Sequence, residues 1–159
     1  MTDLSQILNW RRVSSRLTTS GQPNAEQLGE IRDLGVSHVV NLGLGHGEGS
    51  LPGEAEIVSA LGMTYSHIPV DFEHPTDKDF EAFCAALDAT PQALIHVHCI
   101  YNARVSAFFY RYAKSTDGLS ESDAYAMMDS IWRPGGDWAE FIGKSDAQGQ
   151  PNLYAGEDY

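Results

Sequence analysis

The feature that most constrains this chain is a short, mostly apolar run, Ala93–Val97, which stops at His98-Cys99 and is followed by Arg104. The run predicts a buried strand, and the pattern after the arginine predicts a helix. The residues between them then form a loop at a helix N-terminus, where backbone N–H groups and a guanidinium create a positive potential. Because such a potential ionises a thiol and binds anions, the stretch predicts a nucleophilic cysteine in an anion-binding loop.

The rest of the chain alternates short apolar strands with amphipathic helices. Asn24 is a suitable N-cap and Gly35 a suitable stop for the first of these helices. Strands are predicted at residues 16–20, 36–42, 63–70 and 93–98, and helices at residues 25–34, 54–61, 77–88 and 123–132. A further helix follows the cysteine loop through residues 107–113 and is expected to end at Gly118. This alternation predicts an α/β fold with a mostly parallel central sheet flanked by helices. Ligands of such sheets bind at the carboxyl ends of strands, where Asp71 and Cys99 both fall.

A chain of 159 residues is long enough for one domain with its own core. We expect an N-terminal arm at residues 1–15, with Leu4–Val13 forming a short helix or an ordered segment. An α/β domain at residues 16–145 and a C-terminal tail at residues 146–159 follow. The glycine-rich segment Gly43–Gly53 lacks the spacing of a known phosphate-binding motif, so we expect a loop there.

The charge balance limits the partners of this protein. Ten Lys and Arg against 22 Asp and Glu give a formal net charge of -12, which repels nucleic acid and anionic membranes. An anionic substrate would therefore depend on a few concentrated positive groups, with Arg104 as the main candidate. Two cysteines, Cys84 and Cys99, do not form a disulfide framework, and the histidines show no metal-ligand spacing with them. We expect no metal and no cofactor.

The first ten residues lack the basic start, apolar core and cleavage site of a signal peptide. No stretch approaches the roughly 20 apolar residues of a membrane span. The chain as given is expected to be cytoplasmic, with a leader removed from a longer precursor as the alternative.

His98-Cys99 followed by Arg104 and Ser106, with Asp71 ending the preceding strand, resembles the cysteine-dependent protein tyrosine and dual-specificity phosphatases. Their loop is one residue longer and has a central glycine where this chain has Asn102. A closer resemblance is to a bacterial phosphatase-like family of unknown function, also found fused in β-lactamase-hydrolase-like proteins, which has the shorter loop. The resemblance covers residues 16–112 and rests on Ser20-Gly21-Gln22-Pro23, Gln27-Leu28, Gly35-Val36, Val40-Asn41-Leu42, Gly62-Met63, His67-Ile68-Pro69-Val70 and the Cys-to-Arg loop.

The resemblance implies a role for each matching position. Cys99 is the nucleophile that forms a phosphocysteine, Arg104 binds two phosphate oxygens, and Asp71 is the general acid. Ser106 assists departure of the thiolate, and His98 orders the loop. The backbone N–H groups that would bind the remaining phosphate oxygens belong to Ile100, Tyr101, Asn102, Ala103, Arg104 and Val105.

Several of these residues have other interpretations on the sequence alone. Asp71 could instead cap the helix that follows it. The acid would then be Glu73, Asp77 or Asp79. His96 and His67 alternate along strands and are expected to be packed or hydrogen-bonded rather than catalytic. Trp132 and Trp138 are expected to be core anchors. The alternative for these tryptophans is an aromatic wall beside the pocket.

Three functions are consistent with this pattern. The first is a phosphatase that hydrolyses a phosphomonoester, either protein phosphotyrosine or a small phosphate ester. The second is a rhodanese-like sulfurtransferase, because those enzymes also have a six-residue loop from cysteine to arginine. The third is a catalytically weak pseudophosphatase that binds an anionic partner, because Asn102 replaces the loop glycine. The expected partner is a phosphorylated small molecule or protein, and the sequence leaves the oligomeric state open.

Overall fold

A computed structural model of the chain describes residues 3–115 and 119–154. Its strands are β1 (Arg11–Arg12), β2 (Leu17–Ser20), β3 (Val36–Asn41), β4 (Thr64–His67), β5 (Leu94–His98), β6 (Trp132–Arg133) and β7 (Leu153–Tyr154). Its helices are α1 (Ala25–Asp33), α2 (Glu54–Ala60), α3 (Asp77–Asp88), α4 (Ala103–Ser115), α5 (Glu121–Asp129) and α6 (Gly136–Phe141), with a 3-10 turn at Ser145–Ala147.

The central sheet has the strand order β1-β2-β5-β3-β4. Strands β2, β5, β3 and β4 run parallel, and only β1 at the edge is antiparallel. The predicted fold class, a mostly parallel sheet flanked by helices, is therefore confirmed. The carboxyl ends of the four parallel strands meet at one edge, which brings together the segments that follow Ser20, Asn41, His67 and His98.

Two hydrophobic clusters flank the sheet. One contains Leu28 and Ile31 of α1 with Val58 of α2, and the N-terminal arm adds Ile7 to it. The larger one lies under α3 to α6, and its largest apolar side chains include Phe83, Phe108, Met128, Trp132 and Trp138. The two tryptophans are buried in this core, as expected.

Helix boundaries follow local signals. Asn24 caps α1 in a capping box with Gln27, and Gly35, at φ +102°, lies just beyond the helix C-cap. Thr76 caps α3, which covers the predicted residues 77–88. Strand β4 is shorter than the predicted 63–70, although the N–H groups of Ile68 and Val70 still donate to the carbonyls of Asn41 and Leu42 at 2.9 and 3.1 Å.

Two sequence predictions need correction, and one pair of alternatives is decided. Leu4–Val13 is the ordered segment rather than the short helix, because it consists of turns and β1. The helix predicted at residues 123–132 is α5, which starts earlier at a Ser120 cap and ends before Trp132. The predicted tail contains β7, which pairs antiparallel with β6. The predicted helix end at Gly118 lies outside the described residues.

Candidate active site

The cysteine loop, residues 99–104, connects the end of β5 to the start of α4. Cys99 is fully buried, and its Sγ accepts the backbone N–H of Asn102 at 3.2 Å. The thirteen-residue α4 begins at Ala103, so its positive N-terminal end faces the loop. The predicted arrangement of strand, loop and helix is present, and its field favours a thiolate.

Backbone carbonyls of the cysteine loop are bound from outside the loop. The N–H of Gln22 donates to the Ile100 carbonyl at 3.0 Å, and Asn9 Nδ2 donates to the Tyr101 carbonyl at 2.8 Å. In a planar trans peptide the C=O and the following N–H point in opposite directions. These contacts therefore turn the next N–H groups toward the inside of the loop, where an anion would be bound.

Gly21 allows this close approach between chain segments. A Cβ at this position would lie 2.5 Å from the Ile100 carbonyl oxygen, closer than real contacts allow. Gly21 and Gln22 were part of the family resemblance, so the sequence did carry a signal here. Their function is to bring a backbone donor against the back of the cysteine loop.

Asn102 occupies a left-handed backbone conformation with φ +85°. Asn is the residue other than glycine that best tolerates this region. Its side chain is buried behind the loop, where Nδ2 donates to the Asn9 carbonyl at 2.9 Å and to Thr19 Oγ1 at 3.1 Å. The replacement of the loop glycine by asparagine is thus accommodated, and it adds bonds that a glycine could not make.

Arg104 crosses from the first turn of α4 to the segment after β4. Its side chain is fully buried, and Nη1 donates to the Val70 carbonyl at 2.9 Å. The guanidinium also lies 5.9 Å from the centre of the Phe72 ring, within cation–π range. The arginine therefore connects the cysteine loop to the chain on either side of Asp71.

Asp71 is exposed and directly follows the residue that Arg104 holds. Its Oδ1 accepts the backbone N–H of Glu73 at 2.9 Å, which closes a local turn. The alternative role as cap of the following helix is wrong, because Thr76 Oγ1 accepts the Asp79 N–H in that position. The structure thus brings Asp71 to the same sheet edge as Cys99.

His98 forms a buried ion pair that the sequence did not predict. Nδ1 donates to the Cys99 carbonyl at 3.1 Å, and Nε2 lies 2.6 Å from Glu54 Oε2. Burial alone would raise the pKa of Glu54, but the hydrogen bonds and charge of His98, with a further bond from Gln22, hold that pKa below its usual value. These contacts connect the peptide of the cysteine to the first turn of α2.

His96, two residues earlier on β5, has a different environment. Thr18 Oγ1 lies 2.8 Å from Nδ1 and Ser20 Oγ lies 2.8 Å from Nε2, while the Trp10 ring stacks on the imidazole. Burial holds the pKa of His96 well below its usual value, with a smaller contribution from the charge of His98. His96 is therefore neutral and hydrogen-bonded, as expected for a structural histidine.

Ser106 lies one turn into α4 with its hydroxyl engaged. Oγ donates to the Ala103 carbonyl at 2.9 Å and accepts the indole N–H of Trp132 at 3.0 Å. These contacts link the start of α4 to β6. The predicted assistance of this hydroxyl in thiolate departure stays a prediction.

The glycine-rich loop lies against the cysteine loop. Added Cβ atoms at Gly43 and Gly49 would meet the Ile100 side chain at 3.7 Å and 3.1 Å. His67 fixes this loop through Nε2 to the Gly43 carbonyl at 2.7 Å, in agreement with its predicted hydrogen-bonding role. The glycine-rich loop thus packs against the cysteine loop at Ile100.

Two positioning residues were missed by sequence reasoning. Asn9 lies in the arm, outside the region of family resemblance, and Glu54 is one of two acidic residues in the first turn of α2 with nothing to distinguish it from Glu56. Within residues 3–115 and 119–154, no three His, Cys, Asp or Glu side chains are grouped to hold a metal ion. The same residues include no helix long and apolar enough to cross a bilayer.

No family model matches the sequence. A structure from Shewanella putrefaciens CN-32, described as a "putative phosphatase (DUF442)", superposes with a TM-score of 0.78 at 31% identity, covering 91% of this chain and 95% of that one. TpbA from P. aeruginosa, solved in complex with pTyr, superposes with a TM-score of 0.64 at 19% identity over 81% of this chain and 75% of that one, a likeness of fold.

Among curated proteins, the beta-lactamase hydrolase-like protein of Xylella fastidiosa is 31% identical over 114 residues. That match covers 70% of this chain but only 26% of the Xylella protein, so the chain spans about a quarter of its length. The near-complete alignment with the Shewanella structure, together with the shared fold and the cysteine loop, shows that the chain belongs to the DUF442 family of phosphatase-like proteins.

Proposed function

We propose that this protein is a cysteine-dependent phosphatase that hydrolyses a phosphomonoester through a phosphocysteine. The observation that carries the proposal is the buried Cys99, whose Sγ accepts a loop N–H at the start of α4. Arg104 closes the same loop and is the cation that would bind the phosphate. The phosphatase-like fold shared with the Shewanella protein supports the same chemistry.

The first step forms a covalent intermediate. The Cys99 thiolate attacks phosphorus, the P–O bond to the leaving group breaks, and Asp71 gives its proton to the departing oxygen. Arg104 and the inward N–H groups of the cysteine loop stabilise the charge on the equatorial oxygens. The ester thereby becomes an alcohol or phenol and a phosphocysteine.

The second step returns the enzyme to its starting state. Asp71, now ionised, takes a proton from a water molecule that attacks the phosphocysteine. The P–S bond breaks, inorganic phosphate leaves, and the Cys99 thiolate is restored. The proton that Asp71 loses in the first step is thus regained in the second, so no cofactor is required.

Hydrolysis of an aryl phosphate between about pH 5 and 7.5 tests the proposal, since the acid and the thiolate must both be in the correct state. We expect Cys99→Ser to abolish turnover. Cys84→Ser is the matched control, because Cys84 lies half-buried in α3, away from the cysteine loop. Equal turnover in the wild type and Cys99→Ser would overturn the proposal.

A rhodanese-like sulfurtransferase is the second candidate, favoured by the four residues between Cys99 and Arg104. In that reaction the thiolate takes a sulfur atom from thiosulfate, releases sulfite, and passes the sulfur to cyanide. Thiocyanate formation that depends on Cys99, without phosphate release, would select this function. Thermal stabilisation by phosphate with neither reaction would indicate a protein that only binds anions.

A further inference from the structure

The segment that carries Asp71 is packed against an aromatic cluster, defined as Phe72, Trp132, Trp138 and Tyr154. The Phe72 ring centre lies 5.6 Å from each tryptophan and 6.0 Å from Tyr154. Offset and tilted rings at such separations attract one another. The residue next to the proposed acid is therefore surrounded by rings from the C-terminal part of the chain.

Backbone carbonyls on both sides of Asp71 are also bound. Arg104 Nη1 donates to the Val70 carbonyl at 2.9 Å, and Trp138 Nε1 donates to the Phe72 carbonyl at 2.7 Å. The Asp71 backbone lies between these two bonds. These two bonds therefore restrict movement of the backbone that carries the carboxylate.

Residues 150–154 complete this arrangement from the far end of the chain. Tyr154 pairs with Trp132 across β6 and β7, and their rings stack at 5.4 Å. The N–H of Gly136 donates to the Gln150 carbonyl at 3.1 Å. A Cβ on Gly135 would lie 2.1 Å from that carbonyl oxygen, so only glycine permits the approach.

We propose that residues 150–154 position the general acid, with Tyr154 as the positioning residue that acts through Phe72. The inference rests on the proposed function, since it takes Asp71 as the acid. A loosened Phe72 moves the adjacent carboxylate, and a misplacement of about 1 Å can reduce a rate about a hundredfold. The carbonyls of the cysteine loop accept hydrogen bonds from Asn9, Gln22 and His98, so formation of the thiolate should depend on this segment much less than protonation of the leaving group does.

Replacement of Tyr154 by alanine, Tyr154→Ala, tests the proposal with two substrates. Phenyl phosphate has a basic leaving group that needs protonation, whereas p-nitrophenyl phosphate has an acidic one that needs it much less. We expect kcat/KM to fall at least about tenfold for phenyl phosphate, and clearly less for p-nitrophenyl phosphate, because only the first depends fully on the acid. The rate of Cys99 alkylation by iodoacetamide should not change.

Two variants act as controls. Leu153→Ala keeps the backbone pairing with Arg133 and shortens only a 54% exposed side chain outside the aromatic cluster, so it should leave both rates unchanged. Tyr154→Phe keeps the ring and should retain the wild-type ratio of the two rates. Gly135→Ala, which displaces the Gln150 carbonyl, should reproduce the effect of Tyr154→Ala by a different route.

Amide hydrogen exchange gives a readout that does not require turnover. Tyr154→Ala should accelerate exchange at residues 70–76 and leave residues 99–104 unchanged. Unchanged exchange at residues 70–76, or an equal loss of rate on both substrates, would overturn the positioning role. Failure of the proposed function would give a different result, because phosphate hydrolysis would then continue in Cys99→Ser.

Discussion

The two segments that flank the proposed pocket are held in place by different forces. The cysteine loop is fixed by hydrogen bonds to its backbone, from Asn9, from Gln22 and from His98. The Asp71 segment has two such bonds, from Arg104 and Trp138, and adds to them the ring packing around Phe72, which the cysteine loop lacks. The N–H groups that bind an anion must point in defined directions, and hydrogen bonds to the neighbouring carbonyls set those directions. The Asp71 carboxylate is on a short side chain, so its distance from the leaving group depends on where ring packing holds the backbone.

Arg104 is the residue that joins the two segments, so its replacement should have the largest effect. In Arg104→Lys the ammonium cannot bind two phosphate oxygens and also donate to Val70 in the same planar geometry. We expect kcat on an aryl phosphate to fall by about 10²–10³-fold. Steady-state kinetics measure this.

Arg133→Lys is the matched control, because Arg133 is an exposed arginine paired with Asp129 on the far side of α5. It should retain wild-type kinetics. If Arg104→Lys were as active as this control, the guanidinium would be neither the phosphate ligand nor the connection between the two segments.

Local signals allowed much of this architecture to be predicted from sequence. Helix α3 was predicted at its observed bounds because its cap and its apolar spacing lie within thirteen residues of the chain. The cysteine loop was predicted because strand, nucleophile, arginine and helix are contiguous. Non-local pairs were missed: β6 and β7 contribute two residues each and are separated by about twenty residues. The partner of His98, Glu54, lies 44 residues away in α2.

The conformation of Asn102 provides a test of the cysteine loop alone. Both Asn102→Ala and Asn102→Gly lose the bonds to Asn9 and Thr19, but only alanine places a Cβ at φ +85°. We expect alanine to be the less stable variant by about 1 kcal/mol, since the left-handed conformation costs about 1–2 kcal/mol and the freer unfolded chain of glycine offsets part of that. Urea denaturation measures the difference.

Equal stability of the two variants would show that the loop relaxes to another conformation when the side chain is removed. In that event the N–H of residue 102 would no longer point at Cys99 Sγ, and the alkylation rate of Cys99 would fall in both variants alike.

Acid should destabilise the folded protein through the buried His96 of the central sheet. The pKa of His96 is lowered well below 6.5 in the folded protein, so below that pH the unfolded chain binds a proton that the folded protein excludes. Stability should therefore fall as the pH falls, with a contribution from His96 of about 1 kcal/mol between about pH 7.5 and 5.5. Burial lowers the pKa of His38 as well, which adds in the same direction.

His96→Gln separates the contribution of His96 to the pH dependence from that of His38. Glutamine can still bond to Thr18 and Ser20 but takes up no proton in the unfolded chain, so the pH dependence of the free energy of unfolding should become shallower. Urea denaturation at about pH 7.5 and 5.5 measures the slope of the unfolding free energy against pH. At both values Glu54 stays ionised, because its pKa is below its usual value. An unchanged slope would assign the acid sensitivity to other groups.

The charge behind the cysteine loop should have the smallest effect, because Glu54→Gln can preserve the network in neutral form. The amide oxygen can accept from Gln22, and the amide nitrogen can donate to Nε2 of a His98 that keeps its Nδ1 proton for the Cys99 carbonyl. The variant thus removes the charge of the carboxylate and leaves the hydrogen bonds of the pair in place. Loss of a negative charge behind the cysteine loop should let Cys99 ionise at a lower pH, with a shift of less than about one pH unit. The pH dependence of iodoacetamide alkylation measures this shift, and Glu56→Gln in the same turn of α2 is the control. A shift to higher pH would mean that the carboxylate acts on the thiol mainly through the imidazole to which it is bonded.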